Sequence, residues 1–208
     1  MTRLILASSS PRRRQLLAAA GFEFEVVAPS DGAEPETIDG LGPAGLVREL
    51  ARLKGQDVAR RLGVPVDAAS PGRGSDRVVL AADTVAECSG RVLGKPKDKA
   101  DAREMLSWLS GREHHVLTGV YLAGGGLVAA AEVAVTRLRM APLEQAWLEP
   151  FLATGGWRGK AGAFGYQDGL DFVRVVEGSE SNVVGLPIER AAVLLGERGC
   201  WPGGTLDA

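Results

Sequence analysis

Short apolar runs alternate along the chain with segments in which apolar residues recur at helical spacing. The runs at 3–7, 24–28 and 78–82 are too short for helices and predict strands. The third run is uninterrupted, as expected for a strand covered on both faces. Apolar segments that flank glycine-containing turns predict two hairpins, at 85–93 and at 115–138, and a last strand is expected at 172–176.

The remaining periodic segments predict five helices. The first covers 11–20, with Ser10 as N-cap, Pro11 in the first turn and Gly21 just past the end. A long helix is expected at 43–62, an Asp98-capped helix through Leu109, and others near 142–153 and 187–195. This mixture predicts an α/β fold in which helices flank a sheet of mixed direction. We expect one domain over 1–198, a surface loop insertion at 67–77 and a flexible tail at 199–208.

Composition narrows the function classes. The chain has 208 residues, 45% of them hydrophobic, which suffices for one sizeable core. Its formal net charge of −2 argues against a broad cationic surface, so no nucleic-acid partner is expected. No apolar stretch approaches the roughly 18 residues of a membrane span, and no secretion signal is evident. We therefore expect a cytoplasmic protein without a membrane partner, in which Cys88 and Cys200 are bystander thiols.

The first strand–helix turn carries candidate anion-binding chemistry. Ser8, Ser10, Arg12 and Arg13 lie where unpaired backbone N–H groups and the helix dipole favour an anion. Arginines at this end oppose the dipole, at about 0.3–1 kcal/mol each when exposed. A bound phosphate would remove that conflict, because the guanidinium fork matches phosphate oxygens. The alternative is a set of solvated arginines beside an ordinary serine cap.

Three further residues bear chemistry that the sequence alone leaves open. Lys54 lies on the apolar side of its helix, where it either snorkels to solvent or points into a polar cleft. Asp83 follows the apolar run 78–82, and the carboxyl ends of strands collect ligand sites. It suits a metal ligand or a general base, or else it caps a turn. Glu34 is a candidate second oxygen ligand for Mg²⁺.

Two loops each contain one lysine that is a candidate site residue. Gly94 and Pro96 fix the backbone around Lys95. The segment 160–167 joins Lys160, two aromatic residues and Gln167, whose amide both donates and accepts, so it suits either base recognition or a plain loop. His114 and His115 would face opposite sides of a strand, which favours structural roles for both.

Taken in order, five motifs resemble the Maf family of nucleoside triphosphate pyrophosphatases, also called septum formation proteins. They lie at 7–13, 50–54, 82–84 with 94–96, 160–167 and 182–187, and the resemblance runs from Leu4 to Leu195. It implies an elongated mixed α/β sheet with a central cleft, similar to inosine triphosphate pyrophosphatases. It also implies hydrolysis of nucleoside triphosphates to monophosphate and pyrophosphate with Mg²⁺ or Mn²⁺, and a homodimer.

The resemblance also assigns roles to residues. It implies that the triphosphate is held by Arg12, Arg13, Lys54 and Lys95, in a cradle lined by Ser8 and Ser10. Asp83 would be the catalytic carboxylate, assisted by Lys54 and Lys95, with Glu34 and Asp83 at the metal. Lys160 would also bind substrate, and attack at the α-phosphorus is implied.

The resemblance also implies a base preference, through three positions. Arg13, Thr84 and Gln167 match the subfamily similar to dTTP/UTP pyrophosphatases, whose substrates would include modified pyrimidine nucleotides. The alternatives are a 7-methyl-GTP or other purine nucleotide pyrophosphatase, or a nucleotide-binding regulator of septum formation. The sequence departs from the family's pattern at Tyr166, at 168–171 and at Glu180, and the loop at 67–77 looks longer than usual.

Overall fold

A mixed sheet of seven strands organises the chain, for which the computed structural model describes residues 2–35, 38–66 and 76–203. The central strand, β3, pairs in parallel with β1, and β1 pairs in parallel with β2. β4 and β7 pair antiparallel to β3 and β6. The order is β2-β1-β3-β5-β6-β7, with β4 beside β3. The strands are β1 (Arg3–Leu6), β2 (Phe24–Val26), β3 (Arg77–Cys88), β4 (Arg91–Leu93), β5 (Glu113–Gly124), β6 (Leu127–Met140) and β7 (Val173–Glu177).

Helices flank this sheet, which confirms the predicted fold class. As predicted, the Ser10 side chain caps the first helix and the Asp98 side chain caps the third. No described helix is long and apolar enough to cross a membrane. The helices are α1 (Pro11–Ala19), α2 (Pro43–Arg61), α3 (Lys99–Leu109), α4 (Gln145–Thr154), α5 (Glu180–Val184), which the sequence did not indicate, and α6 (Ile188–Gly196).

The chain separates into two compact units. The first unit comprises Met1–Asp83, Thr118–Ala134 and Gly185–Ala208, and the second comprises Thr84–Leu117 and Val135–Val184. β1 divides the core of the first unit, since Leu4 and Leu6 join one apolar cluster while Ile5 and Ala7 join another. A third cluster, which includes residues of α3 and α4, fills the second unit. The single domain expected over 1–198 stays a prediction.

β3 is longer than the sequence indicated. The predicted strand 78–82 and the first arm of the predicted hairpin form one strand of twelve residues. The expectation that Asp83 follows the end of its own strand was therefore wrong. The strand continues through Val85, Ala86 and Cys88, which are all buried. It ends before Ser89 and Gly90, which form the turn to β4.

The structure describes only part of the expected loop insertion and of the expected tail. Residues 67–75 and 204–208 lie outside the described residues, while Arg77 of the expected insertion begins β3. Residues 199–203 belong to the first unit. Cys200 is buried, and the Gly203 amide donates to the Gly21 carbonyl at 2.8 Å.

Two glycines allow α2 to approach the sheet closely within the first unit. A Cβ on Gly55 of α2 would lie 2.7 Å from Tyr121 Cε1 and 3.2 Å from Ala81 Cβ. A Cβ on Gly119 of β5 would lie 2.8 Å from the Arg48 amide nitrogen. Real Cβ atoms essentially never approach other heavy atoms below 3.0 Å. The height of α2 above the sheet therefore depends on the absence of side chains at these positions.

We expect Gly55→Ala to push α2 away from the sheet. The variant should lose about 1–3 kcal/mol of unfolding free energy, because the added methyl overpacks a close contact. Urea denaturation measures this loss. The matched control is Gly45→Ala, which lies in the first turn of α2. A Cβ at Gly45 would meet only the Leu41 side chain at ordinary contact distances. Equal stability of the two variants would contradict the argument.

The two adjacent histidines of β5 face opposite ways, as predicted. His114 is 1% exposed and meets the ring of Phe164 edge to face, with centroids 5.6 Å apart. Burial lowers the pKa of His114 from 6.5 to about 4, with His115 adding to the shift and the Arg112 backbone and Glu87 opposing it. His115 is partly exposed and contacts Glu87 at 3.1 Å.

Acid should destabilise the protein through His114. Below pH 6.5 the unfolded chain binds a proton at this position that the folded chain excludes. Stability should therefore fall by about 3 kcal/mol as the pH is lowered toward 4. Urea denaturation between pH 7.5 and 4 checks this slope, which His114→Leu should reduce and His115→Leu should leave in place. A slope unchanged in His114→Leu would refute the assignment.

Candidate active site

The Lys54 ammonium lies between two carboxylates in the first unit. It forms an ion pair with Asp83 and lies 3.1 Å from an oxygen of Glu34. The side chains of Lys54 and Asp83 are 12% and 15% exposed, and that of Glu34 is 38% exposed. The structure thus decides between the two interpretations of Lys54: it does not snorkel from an apolar face but joins a polar cluster.

Three separate elements bring this cluster together. Lys54 precedes Gly55, so the close approach of α2 carries its side chain to the sheet. Asp83 lies in β3 three residues beyond Leu80, where the parallel pairing with β1 ends at Leu6. Past that point β1 no longer covers this edge of β3, which leaves room for a polar side chain.

Glu34 reaches the cluster from the loop after β2. This loop is fastened to α2, because the amide and hydroxyl of Ser30 both donate to the Asp57 carboxylate at 2.9–3.1 Å. Arg61 of α2 also donates to the Ala28 carbonyl at 2.6 Å. No local pattern predicts these anchors, since each joins residues about 30 positions apart whose types are common on surfaces.

The N-terminus of α1 supplies the serines and arginines of the first motif. The Ser10 hydroxyl accepts from the Arg13 amide at 3.5 Å, and the buried Ser8 hydroxyl accepts from the Ser10 amide at 3.2 Å. Both hydroxyls therefore shape the turn, and each retains its own proton for donation to an acceptor. The structure shows this local turn, and the triphosphate cradle expected around it stays a prediction.

Arg13 of α1 lies near enough to the carboxylate cluster for the charges to interact. Its Nε donates to the Gly185 carbonyl at 2.7 Å, which fixes the guanidinium. Burial lowers the pKa of Arg13, the charges of Asp83 and Glu34 raise it, and Arg12 lowers it further. The first unit therefore gathers cationic and anionic side chains at one place. The Gly185 carbonyl is a partner of Arg13 that the sequence did not indicate, although it lies inside the fifth motif.

The other predicted site residues belong to the second unit. Thr84 is the next residue of β3, and Lys95 is exposed between Gly94 and the buried Pro96. The Gly94 carbonyl accepts from the Gly162 amide at 3.1 Å, so the third and fourth motifs meet. The Lys160 ammonium pairs with the Asp168 carboxylate. Gln167 is exposed on a short turn of 3₁₀ helix, Tyr166–Asp168.

The donor set at Lys54 fits a hard divalent cation that binds together with substrate. Among the described residues, no three His, Cys, Asp or Glu side chains form a complete metal cage. Mg²⁺, however, usually binds through one or two carboxylates and takes its other ligands from water and substrate phosphates. Asp83 and Glu34 converge on one ammonium and together outweigh its charge, so they fit such a cation.

Comparison with known proteins identifies the family. The profile of the Maf-like protein family matches residues 3–198. The chain belongs to the Maf-like protein family. This Maf-like chain is 48% identical over 194 residues to a dTTP/UTP pyrophosphatase of Rhodopirellula baltica, covering 92% of this chain and 80% of that protein. It is 36% identical to a dTTP/UTP pyrophosphatase of Pyrococcus furiosus, covering 90% and 91% of the two chains.

A solved structure supports the predicted fold. The Maf-like chain superimposes on a HAM1 protein from Coxiella burnetii with a TM-score of 0.50 and 16% identity, covering 95% of this chain and 100% of the other. At this identity the likeness concerns the fold alone. The family expected from the five motifs is confirmed.

Removing the ammonium from the cluster should destabilise the first unit. Lys54→Met removes the ammonium between Asp83 and Glu34, at an expected cost of roughly 1–3 kcal/mol near neutral pH. Urea denaturation measures the difference from Lys97→Met, which removes an exposed lysine. Adding Asp83→Asn to Lys54→Met should restore part of the loss. If Lys54→Met is as stable as Lys97→Met, the ion pairs do not stabilise the fold.

Proposed function

We propose that this Maf-like protein hydrolyses dTTP and UTP to the nucleoside monophosphate and pyrophosphate. The observation that carries the proposal is the Lys54 ammonium between Asp83 and Glu34, in the same unit as Arg12 and Arg13. Carboxylates suit water activation and cation binding, whereas an ammonium and guanidinia suit phosphate oxygens. The names of the relatives supply the substrate class.

The first unit supplies groups that bind the triphosphate and a carboxylate that accepts a proton from the attacking water. Arg12, Arg13 and Lys54 hold the triphosphate, and the hydroxyls of Ser8 and Ser10 donate to its oxygens. A water oxygen attacks the α-phosphorus, and the bond from phosphorus to the α–β bridging oxygen breaks. The electron pair of that bond leaves on pyrophosphate, and the water proton passes to the Asp83 carboxylate and then to solvent.

Charge stabilisation explains why cations surround this reaction. Negative charge grows on the pyrophosphate as it leaves, and preorganised cations stabilise that charge without reorganising. Asp83 and Glu34 would hold Mg²⁺ or Mn²⁺, which when bound neutralises phosphate oxygens. The roles of Lys95 and Lys160 and the homodimer stay predictions of the resemblance. The cytoplasmic location stays a prediction from the apolar pattern, and the role in septum formation stays an alternative.

Base preference is assigned to Gln167. Its amide N–H can donate to a carbonyl of the uracil edge, and its amide oxygen can accept from the uracil N–H. The side chain is exposed on its turn and so is available to a ligand. Both relatives described above are named for pyrimidine substrates, which favours dTTP and UTP over 7-methyl-GTP.

A product assay tests the proposed function. Purified protein is incubated with dTTP, UTP, CTP or 7-methyl-GTP in Mg²⁺ or Mn²⁺, and the products are separated. We expect monophosphate and pyrophosphate, fastest from dTTP and UTP, and no turnover in excess EDTA. Release of orthophosphate as the first product would refute the proposal. Faster turnover of 7-methyl-GTP would favour the purine alternative.

Asp83→Asn should lower kcat by about 10²–10⁴-fold, because an amide cannot accept the water proton. The substitution keeps the size of the side chain, so circular dichroism and the unfolding midpoint should show a folded protein. The matched control is Asp171→Asn, which neutralises an exposed carboxylate. Comparable kcat values for Asp83→Asn and the wild type would exclude Asp83 as the base.

A further inference from the structure

The turn that carries Gln167 is bounded on both sides by polar side-chain anchors. It consists of Tyr166–Asp168, is closed by the Asp168 amide donating to the Gly165 carbonyl at 3.0 Å, and ends at Gly169, whose φ is +70°. Gln167 itself projects from the middle of this turn and is exposed. Both sequence neighbours of Gln167, Tyr166 and Asp168, make side-chain contacts that hold the turn.

The first anchor is a hydrogen bond from Tyr166 to α5. The Tyr166 hydroxyl donates to Glu180 Oε1 at 2.7 Å, and this contact raises the pKa of Tyr166. Glu180 begins α5, which is itself fixed in the core of the second unit. The fully buried Asn182 of α5 donates to the Val116 carbonyl at 3.1 Å and to Thr136 Oγ1 at 2.9 Å. Tyr166 is thus tied to a rigid element.

The second anchor is the ion pair between Lys160 and Asp168. The Lys160 side chain is 13% exposed, and its ammonium contacts the Asp168 carboxylate across the loop. The loop closes tightly here, since a Cβ on Gly165 would lie 2.6 Å from Asp168 Oδ2 and 2.8 Å from Lys160 Nζ. The start of the loop is fixed where the Gly162 amide donates to the Gly94 carbonyl.

We propose that Tyr166 and Asp168 are positioning residues for base recognition, acting through Gln167. The inference rests on the proposed function, in which the Gln167 amide reads the base edge. A glutamine amide discriminates between bases only if its backbone is held in one place, because its side chain has three rotatable bonds. Tyr166 and Asp168 hold that backbone from both sides, and Lys160 acts on the turn through Asp168.

Substitutions that remove one anchor at a time test the proposal. Tyr166→Phe deletes the hydroxyl and keeps the ring, while Asp168→Ala deletes the partner of Lys160. Glu180→Gln retains an oxygen that accepts from Tyr166 and serves as the conservative rescue, whereas Glu180→Ala removes the acceptor. Asp171→Asn, an exposed carboxylate nearby, is the matched control. All variants are made in the full chain, and their unfolding midpoints are measured.

The kinetic readout separates the base from the phosphates. For Tyr166→Phe, Glu180→Ala and Asp168→Ala we expect KM for UTP to rise about fivefold to tenfold, with kcat changing less. Inorganic tripolyphosphate has no base, so its inhibition constant should stay within about twofold of the wild-type value, as expected when only the base contact is lost. Glu180→Gln and Asp171→Asn should resemble the wild type.

Nuclear magnetic resonance gives a readout that needs no turnover. In ¹H–¹⁵N spectra, the backbone amide of Gln167 should lose order in the three anchor variants and keep it in Glu180→Gln. Unchanged KM for UTP, or equal rises in KM and in the tripolyphosphate inhibition constant, would overturn the positioning role. A wild-type protein that hydrolyses no nucleotide would instead overturn the proposed function itself.

Discussion

The close contact between α2 and the sheet is the constraint on which the candidate active site depends. Gly55 and Gly119 contribute no side chain of their own to this contact, so α2 approaches β5 closely. Lys54 is next to Gly55 and therefore enters the cluster with Asp83 at a height that the glycines determine. A larger residue at either glycine would separate two charges that are mostly shielded from water. The packing of α2 on the sheet thus determines the distance between the charges at the site.

The position of Asp83 shows how sheet topology allows a polar side chain in the middle of a long strand. β3 runs past the end of its parallel neighbour, since the last β1 residue paired with it is Leu6, opposite Leu80. The rule that ligands bind at carboxyl ends of strands therefore applies to β1, not to β3. Asp83 therefore lies just beyond the carboxyl end of β1, although it is in the middle of the continuous strand β3. The same residue carries the β3 backbone into the next unit without an interruption.

Sequence patterns predicted most strands and helices because apolar periodicity and caps are local signals. They left Lys54 undecided, since its position on an apolar face is compatible with two environments. The partners that decide its role, Glu34 and Asp83, are 20 and 29 positions away in sequence. The Arg13 contact with the Gly185 carbonyl spans 172 positions. No periodicity encodes such contacts, and α5, with five residues, is too short to produce a helical pattern.

The charge distribution explains how a protein of net charge −2 suits a polyanionic substrate. In the first unit, Asp83 and Glu34 exceed Lys54 by one negative charge, while Arg12 and Arg13 supply two positive charges close by. Carboxylates alone would repel a triphosphate, and guanidinia alone would not retain a divalent cation. Placed together, they complement a triphosphate that carries its cation, because each charge then meets its opposite. Local segregation of charge, and not the total, is what the proposed reaction requires.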